Sequence, residues 1–175
     1  YTDRRTERKR QLTGIIKLTP SRSTSGGFAV VKGEAMELEY IDAAPTLEEY
    51  KEMRRLVNFM ALSDRICSNV LNNAFRITHV RDNGRCVGMI RVLSEGGYAN
   101  FITDVIVIPE YQHKGIGKTL MKRTMDYLYS TLEPGEKIVV YLMSARDREP
   151  FYRQFGFRDR PNELLGAGMS QWLEK

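Results

Sequence analysis

The segment from Asp104 to Arg123, Asp104-Val-Ile-Val-Ile-Pro-Glu-Tyr-Gln-His-Lys-Gly-Ile-Gly-Lys-Thr-Leu-Met-Lys-Arg123, constrains the fold more than any other part of the chain. An apolar run, Val105 to Ile108, predicts a strand covered on both faces. A glycine-bearing turn follows, then a helix whose first turns carry Lys114, Lys118, Lys122 and Arg123, with no acidic residue between Gln112 and Met125. Helix N-termini expose unpaired N–H groups and the positive end of the macrodipole, so they favour Asp or Glu. Added cations destabilise such an end unless an anion is to sit there. Gly115 and Gly117 remove side chains where the backbone would approach that anion. The segment therefore reads as a phosphate cradle.

Two common phosphate motifs fail on named residues. A P-loop, G-x-x-x-x-G-K-[ST], fits Gly117-Lys118-Thr119 but places Gln112 at its first glycine. The dinucleotide fingerprint G-x-G-x-x-G fits Gly115 and Gly117 but places Leu120 at the third glycine. The pattern that fits is Q/R-x-x-G-x-G/A, as Gln112-His-Lys-Gly-Ile-Gly117, directly after Val-Ile-Pro. Downstream stands Glu149-Pro-Phe-Tyr-Arg-Gln-Phe-Gly-Phe157.

Together these segments resemble the acetyl-coenzyme A loop and the F-Y-x-x-F-G-F signature of the GCN5-related N-acetyltransferases (GNAT). The resemblance runs in element order from Met36 to Trp172 and is sharpest from Val87 to Phe157. It implies an α/β fold with a mixed, mostly antiparallel sheet and one parallel strand–helix–strand crossover. It also implies acetyl-coenzyme A as co-substrate and no metal. Gln112, His113, Lys114, Gly115, Ile116, Gly117 and Lys118 would hold the pyrophosphate. Val105, Ile106 and Val107 would meet the pantetheine where the family splays this strand from its neighbour. Tyr152 would be the general acid beside the cofactor. An asparagine often found beyond the next strand is replaced by Ser144-Ala145-Arg146, and Arg146 is the candidate to reach the nucleotide phosphate instead. Val87-Gly-Met-Ile-Arg91 together with Asp104 to Gln112 is also similar to arylalkylamine-type acetyltransferases.

Periodicity gives the same element order independently. Met36–Ile41 alternates as a strand. Thr46 and Glu49 form a capping box before an apolar stripe formed by Leu47, Tyr50, Met53, Arg54 and Val57. Asp64–Asn72 reads as a second helix. Phe75–Arg81 and Cys86–Leu93 are strands joined by Asp82-Asn83-Gly84, a hairpin signal. Tyr98–Ile108 is the next strand, Gly117 to about Thr131 a helix, Ile138–Met143 a buried strand, and Gly166–Trp172 a last strand returning antiparallel.

Along the strand, Asp104 alternates onto one face with Ile102, Ile106 and Ile108, a lone carboxylate in an apolar row. Such a group is either desolvated and suited to act as a base or satisfied by hydrogen bonds as structure. Acceptor contacts are expected around Tyr50, Phe59, Phe75 and Phe101.

The 175 residues suit one domain with a sizeable core. Residues 1–35 hold eight Lys/Arg against three Asp/Glu, whereas residues 36–175 hold nineteen of each. The positive charge belongs to a basic N-terminal extension (1–35), and the body (36–175) has no bias toward nucleic acid. Within the extension, Ile15, Ile16 and Leu18 are expected to dock. Two cysteines without metal-ligand spacing, no apolar run of about 18 residues and no leader pattern predict no disulfide framework, zinc site or membrane span, and a cytoplasmic setting. The activity expected is acetyl transfer to a small primary amine by a monomer or homodimer. The alternatives are a protein lysine or N-terminal acceptor, or a non-catalytic acyl-coenzyme A sensor.

Overall fold

The computed structural model describes residues 14–15 and 36–173. A six-stranded sheet keeps its strands in sequence order. They are β1 (Gly14–Ile15), β2 (Leu38–Ile41), β3 (Arg76–Asp82), β4 (Arg85–Ser94), β5 (Ala99–Val107) and β6 (Val139–Leu142). Every neighbouring pair is antiparallel except β5–β6, which is parallel. That parallel pair is linked by the long helix α3 (Ile116–Ser130), as a crossover of this length requires. Two helices, α1 (Leu47–Leu56) and α2 (Asp64–Asn72), separate β2 from β3, and a short α4 (Glu149–Arg153) follows β6.

Local chemistry explains where these elements start and turn. Thr46 caps α1: its hydroxyl accepts from Glu49 N–H at 3.2 Å, and Glu49 Oε2 accepts from Thr46 N–H at 2.9 Å. Ser63 caps α2 through its hydroxyl. Asn83 and Gly84 both take positive φ between β3 and β4, which matches the twist of a two-residue hairpin. Helix α3 turns Ile116, Leu120, Met121, Thr124 and Leu128 inward. Helix α1 buries Tyr50 and Met53. The two helices cover opposite faces of β4 and β5. Gly88 faces Ile116 of α3, and a Cβ there would lie 2.8 Å from the Ile106 carbonyl oxygen. Arg91, of opposite parity on the same strand, reaches a carboxylate that α1 also grips.

One expectation changes. Residues 166–172 form no strand. Arg160 Nε donates to the Gly166 carbonyl and Asn162 N–H to the Leu165 carbonyl, folding the chain back on itself there. Gly166 and Gly168 add no side chains that would favour a strand, and Met169 and Trp172 stay in solvent. The sheet therefore ends at β6. The basic extension, in turn, contributes Gly14 and Ile15 to the sheet edge, opposite Tyr40 and Glu39; Ile16 and Leu18 lie outside the described residues.

His79 is buried on β3. Its Nδ1–H donates to the Ala43 carbonyl at 2.8 Å, and its Nε2 accepts from Arg81 Nε. Desolvation by burial lowers its pKa below the ordinary histidine value, against the opposing effect of the Ala43 carbonyl. Protonation therefore favours the unfolded chain. The stabilisation is complete above the unfolded pKa of about 6.5 and is lost as pH falls from there toward the depressed folded value. Urea midpoints measured from pH 8 to pH 5 should fall below about pH 6.5. A His79→Gln variant, which cannot titrate, should show a shallower fall.

Candidate active site

A β-bulge in β5 organises the site. Arg91 pairs with Thr103, but Met89 pairs with Ile106, so β5 carries one extra residue between these positions. Asp104 stands at the bulge with φ 47°, a left-handed conformation that Asp tolerates better than most residues. The bulge switches which edge each main-chain group faces. Before it, the Tyr98 carbonyl accepts from Val139 N–H on the β6 side. After it, Ile108 N–H donates to the Val87 carbonyl on the β4 side. By alternation Ile106 also bonds to β4, and the main-chain groups of Val105 and Val107 face the β6 side. Among the described residues no strand receives them there, because β5–β6 pairing ends at Ile102 and Leu142. Because β6 itself ends at Leu142, β5 runs on past it and leaves an open edge, the cleft, at Val105 and Val107. Ile106, expected beside them, is a correction: its main chain is turned to β4 and its side chain is fully buried.

The cleft leads to the N-terminus of α3. Gly115 is the N-cap with φ 82°, no side chain caps the helix, and no acidic residue lies in its first turn. A Cβ on Gly115 would meet nothing within 4 Å, so the approach to these N–H groups is open. The first hydrogen bond inside the helix is Thr119 N–H to the Gly115 carbonyl, which leaves the N–H groups of Ile116, Gly117 and Lys118 pointing out. His113 takes φ 61°, and the side chains of His113, Lys114 and Lys118 are exposed around the turn. Lys114 Nζ lies 4.8 Å from the Tyr111 ring centroid. Gln112 turns inward instead, donating from Nε2 to the Val107 carbonyl at 2.9 Å, and so braces the cleft edge.

Tyr152 lies next to this cradle. Its neighbour Phe151 packs on α3, with Cζ 3.5 Å from where a Gly117 Cβ would stand. The Tyr152 ring is held edge-on by Phe151 at 5.1 Å and by Phe157 at 6.4 Å. Burial raises the Tyr152 pKa, with Arg148 opposing, so the phenol stays protonated at neutral pH. Arg146 is exposed in the turn after β6.

Asp104 shows the hydrogen-bonded of its two alternatives. Its Oδ2 accepts from Arg91 Nε at 2.8 Å and from the Tyr50 hydroxyl at 2.9 Å. Arg54 Nη1 reaches Oδ1 at 3.3 Å. All four side chains are largely buried. Burial and then the Asp104 charge push the Tyr50 pKa up to about 12, which keeps that hydroxyl a donor. Tyr50 is fully buried and so cannot line an acceptor pocket. Phe59 lies 5.3 Å from the Arg54 guanidinium and Phe75 6.4 Å from Tyr127, while Phe101 remains at an open groove. Sequence reasoning gave no site role to Arg54, which it placed only on the helix stripe, or to Arg91 and Gly88. The Tyr50–Arg54 spacing on one helix face was the available signal for Arg54.

The comparisons with known proteins say to which class a fold with this open strand edge and uncapped, basic helix start belongs. Residues 73–159 match the family model of the acetyltransferase (GNAT) domain. The uncharacterized N-acetyltransferase ycf52 of Porphyra purpurea is 33% identical over 82 residues, 47% of this chain and 45% of that protein. GCN5-related N-acetyltransferase 3, chloroplastic, of Arabidopsis thaliana is 30% identical over 96 residues, 55% of this chain and 38% of that protein. The chain spans about half the length or less of these curated relatives. A GNAT-family acetyltransferase from Streptococcus pneumoniae superposes with a TM-score of 0.64 at 25% identity, covering 79% of this chain and 98% of that one. A Staphylococcus aureus protein of unknown function shares the fold, with a TM-score of 0.69 at 24% identity, covering 77% and 99%. The chain belongs to the GNAT family.

Asp104→Asn should be costly. It would leave the buried Arg54 and Arg91 guanidiniums without a counter-charge, a loss of about 3 kcal/mol. Urea unfolding should register that loss, whereas Glu52→Gln, which breaks only the exposed pair with Arg55, should leave the urea midpoint nearly unchanged.

Proposed function

We propose that this chain binds acetyl-coenzyme A and transfers its acetyl group to a primary amine of a small molecule. The observation that carries the reading is the continuity of the cleft edge at Val105 and Val107 with the uncapped N-terminus of α3. Outward N–H groups of Ile116, Gly117 and Lys118 suit a pyrophosphate, and the exposed His113, Lys114 and Lys118 surround it with cationic and polar groups. Open space at Gly115 lets the phosphates reach the backbone. Main-chain groups of Val105 and Val107 suit the amides of the pantetheine arm, and Arg146 stands as a further partner for the nucleotide phosphate. The co-substrate supplies an activated thioester; the chain supplies position, charge and a proton.

Tyr152, protonated and next to the cradle, is the donor for the leaving thiolate. The amine has the opposite requirement. At pH 7 about one molecule in ~10³ of a lysine-like amine is neutral and nucleophilic. We place Asp104 as a positioning residue. Two guanidiniums and a hydroxyl already engage its oxygens, at 2.8 to 3.3 Å. Its contribution is to fix the bulge that turns Val105 and Val107 outward.

We assign the acetyltransferase domain to residues 36–175 and treat residues 1–35 as a basic extension that supplies the edge strand. The buried thiols of Cys67 and Cys86 suit a reducing compartment, either the cytoplasm or a plastid of the kind named for the Arabidopsis relative.

Three variants test the reading, with thiol release from acetyl-coenzyme A in the presence of an amine panel as the assay. Tyr152→Phe should lower kcat at least ~10²-fold with little change in cofactor affinity. Lys118→Glu should favour the first turn of α3 yet weaken coenzyme A binding by calorimetry, because a carboxylate would stand where the pyrophosphate belongs. Unchanged affinity would rule out the cradle. Asp104→Asn should scale the pH–rate profile down without changing its shape, and a profile that regains its rate selectively at high pH would instead make Asp104 the base.

A further inference from the structure

The sheet face under α3 carries a charge cluster away from the cradle. Arg76 and Thr78 alternate onto that face of β3, and Tyr40 does so on β2, where Asp42 follows the strand. Helix α3 lays Arg123 and Tyr127 over them. The Arg123 guanidinium stands 5.5 Å from the Tyr40 ring centroid, and that of Arg76 stands 3.9 Å from the Tyr127 centroid. Arg123 lies well beyond the Gly115 cap, about 12 Å along the helix, so the cluster is separate from the cradle.

The cluster holds more donors than acceptors. Asp42 Oδ2 faces both guanidiniums, Arg76 Nη2 at 2.7 Å and Arg123 Nη2 at 3.7 Å. Its Oδ1 already accepts from the Thr78 hydroxyl at 2.7 Å. One carboxylate thus stands against two cations, and the one acid of α3, Asp126, is engaged by Lys122. Neither arginine Nε has a hydrogen-bond partner among the described residues. Unmet donors and a surplus cation, held partly out of water, are costly unless an acceptor joins the cluster. The Asp104 cluster on the other face has the same two-to-one ratio but is closed: its arginine side chains are 12% and 10% exposed and donate hydrogen bonds to the carboxylate. Those of Arg76 and Arg123 are 20% and 24% exposed. A tyrosine ring takes one flat face of each, and a guanidinium so stacked offers its N–H edge to a ligand.

We propose that Arg76 and Arg123 form a second anion site, which takes an oxyanion of the phosphate class between β2, β3 and α3. Two planar forks match the oxygens of a phosphate better than point charges would, and the anion offsets the surplus positive charge. Asp42 orients the forks and, by its own charge, holds the affinity near ~1 mM. Inorganic phosphate and a phosphate monoester on a small molecule share this chemistry. Either one, bound there, stabilises the fold by joining α3 to β2 and β3.

Calorimetry and thermal melting with inorganic phosphate, with glycerol 3-phosphate and, at matched ionic strength, with chloride test the site. Coenzyme A is present at saturation to fill the cradle, and the Lys118→Glu chain is run in parallel without it, so the outcome does not depend on coenzyme A binding. The expected result is a phosphate-specific rise in melting temperature with Kd on the order of 1 mM, weakened at least about tenfold in Arg123→Gln and partly restored in Arg123→Lys. Arg123→Gln leaves the Arg76–Asp42 pair in place, which makes it compatible with folding. Tighter binding of glycerol 3-phosphate would assign the site to a phosphorylated small molecule, and equal binding to the free ion. A melting temperature that follows ionic strength alone, or a phosphate response unchanged in Arg123→Gln, would overturn the site while leaving the cradle and acetyl transfer standing.

Discussion

The Asp104 carboxylate holds together the parts on which the site depends. It sits at a non-glycine residue with φ 47°, a conformation that persists only where surroundings over-determine it. Here they do: Arg91 fixes it from β4, Tyr50 and Arg54 from α1. Through this one group the helix on one face, the central strand pair and the bulge are linked. Without the bulge, Val105 and Val107 would turn their main-chain groups toward β4, and the edge facing the cleft would have a different set of donors and acceptors. Gly88 complements the arrangement from the other face by letting the Ile106 carbonyl approach to a distance that no Cβ would allow.

Much of the fold was legible because local signals and long-range packing agree. The capping box at Thr46 and Glu49, the turn at Asn83-Gly84 and the apolar face of α3 each depend on residues close in sequence, and each appears where their spacing puts it. The C-terminal segment was misread for the opposite reason. Its apolar residues suggested a strand, but alternation identifies a strand only if a partner edge takes it up. The side-chain and main-chain bonds of Arg160 and Asn162 curl that segment locally, and those contacts have no periodic signature.

The site divides along the same line. The cradle was readable because a basic, acid-free helix start is anomalous on electrostatic grounds alone. The aromatic run from Phe151 to Phe157 was readable as a motif, but its placement on Gly117 was not, since that contact joins elements more than thirty positions apart. Asp104 was visible as an unusual carboxylate, and its two alternatives could be stated but not separated. The choice between them lies with Arg54 and Arg91, whose convergence is a property of the bulge. A bulge is a one-residue mismatch between strands and leaves no mark in either strand's own pattern.

Two kinds of energy therefore serve the two halves of the site. The positioning half is intrinsic to the fold: a buried charge cluster with nearly every donor and acceptor engaged, which specifies one backbone conformation and tolerates loss of a partner badly. The cradle half lacks its complement within the described residues. Its uncapped N–H groups and surrounding lysines are a polar arrangement that an anion would satisfy. A helix start that is left uncapped while the neighbouring helices α1 and α2 are both capped by side chains gives up local stability. Any anion that satisfies it also adds stability in proportion to its affinity. The rigid bulge and the anion-seeking helix start are joined by only the short segment from Ile108 to Gly115, braced by Gln112 on the Val107 carbonyl. That brace ties the two halves, so a ligand spanning both would meet a main-chain edge and a phosphate site already set relative to one another, and less of its binding energy would go to ordering them.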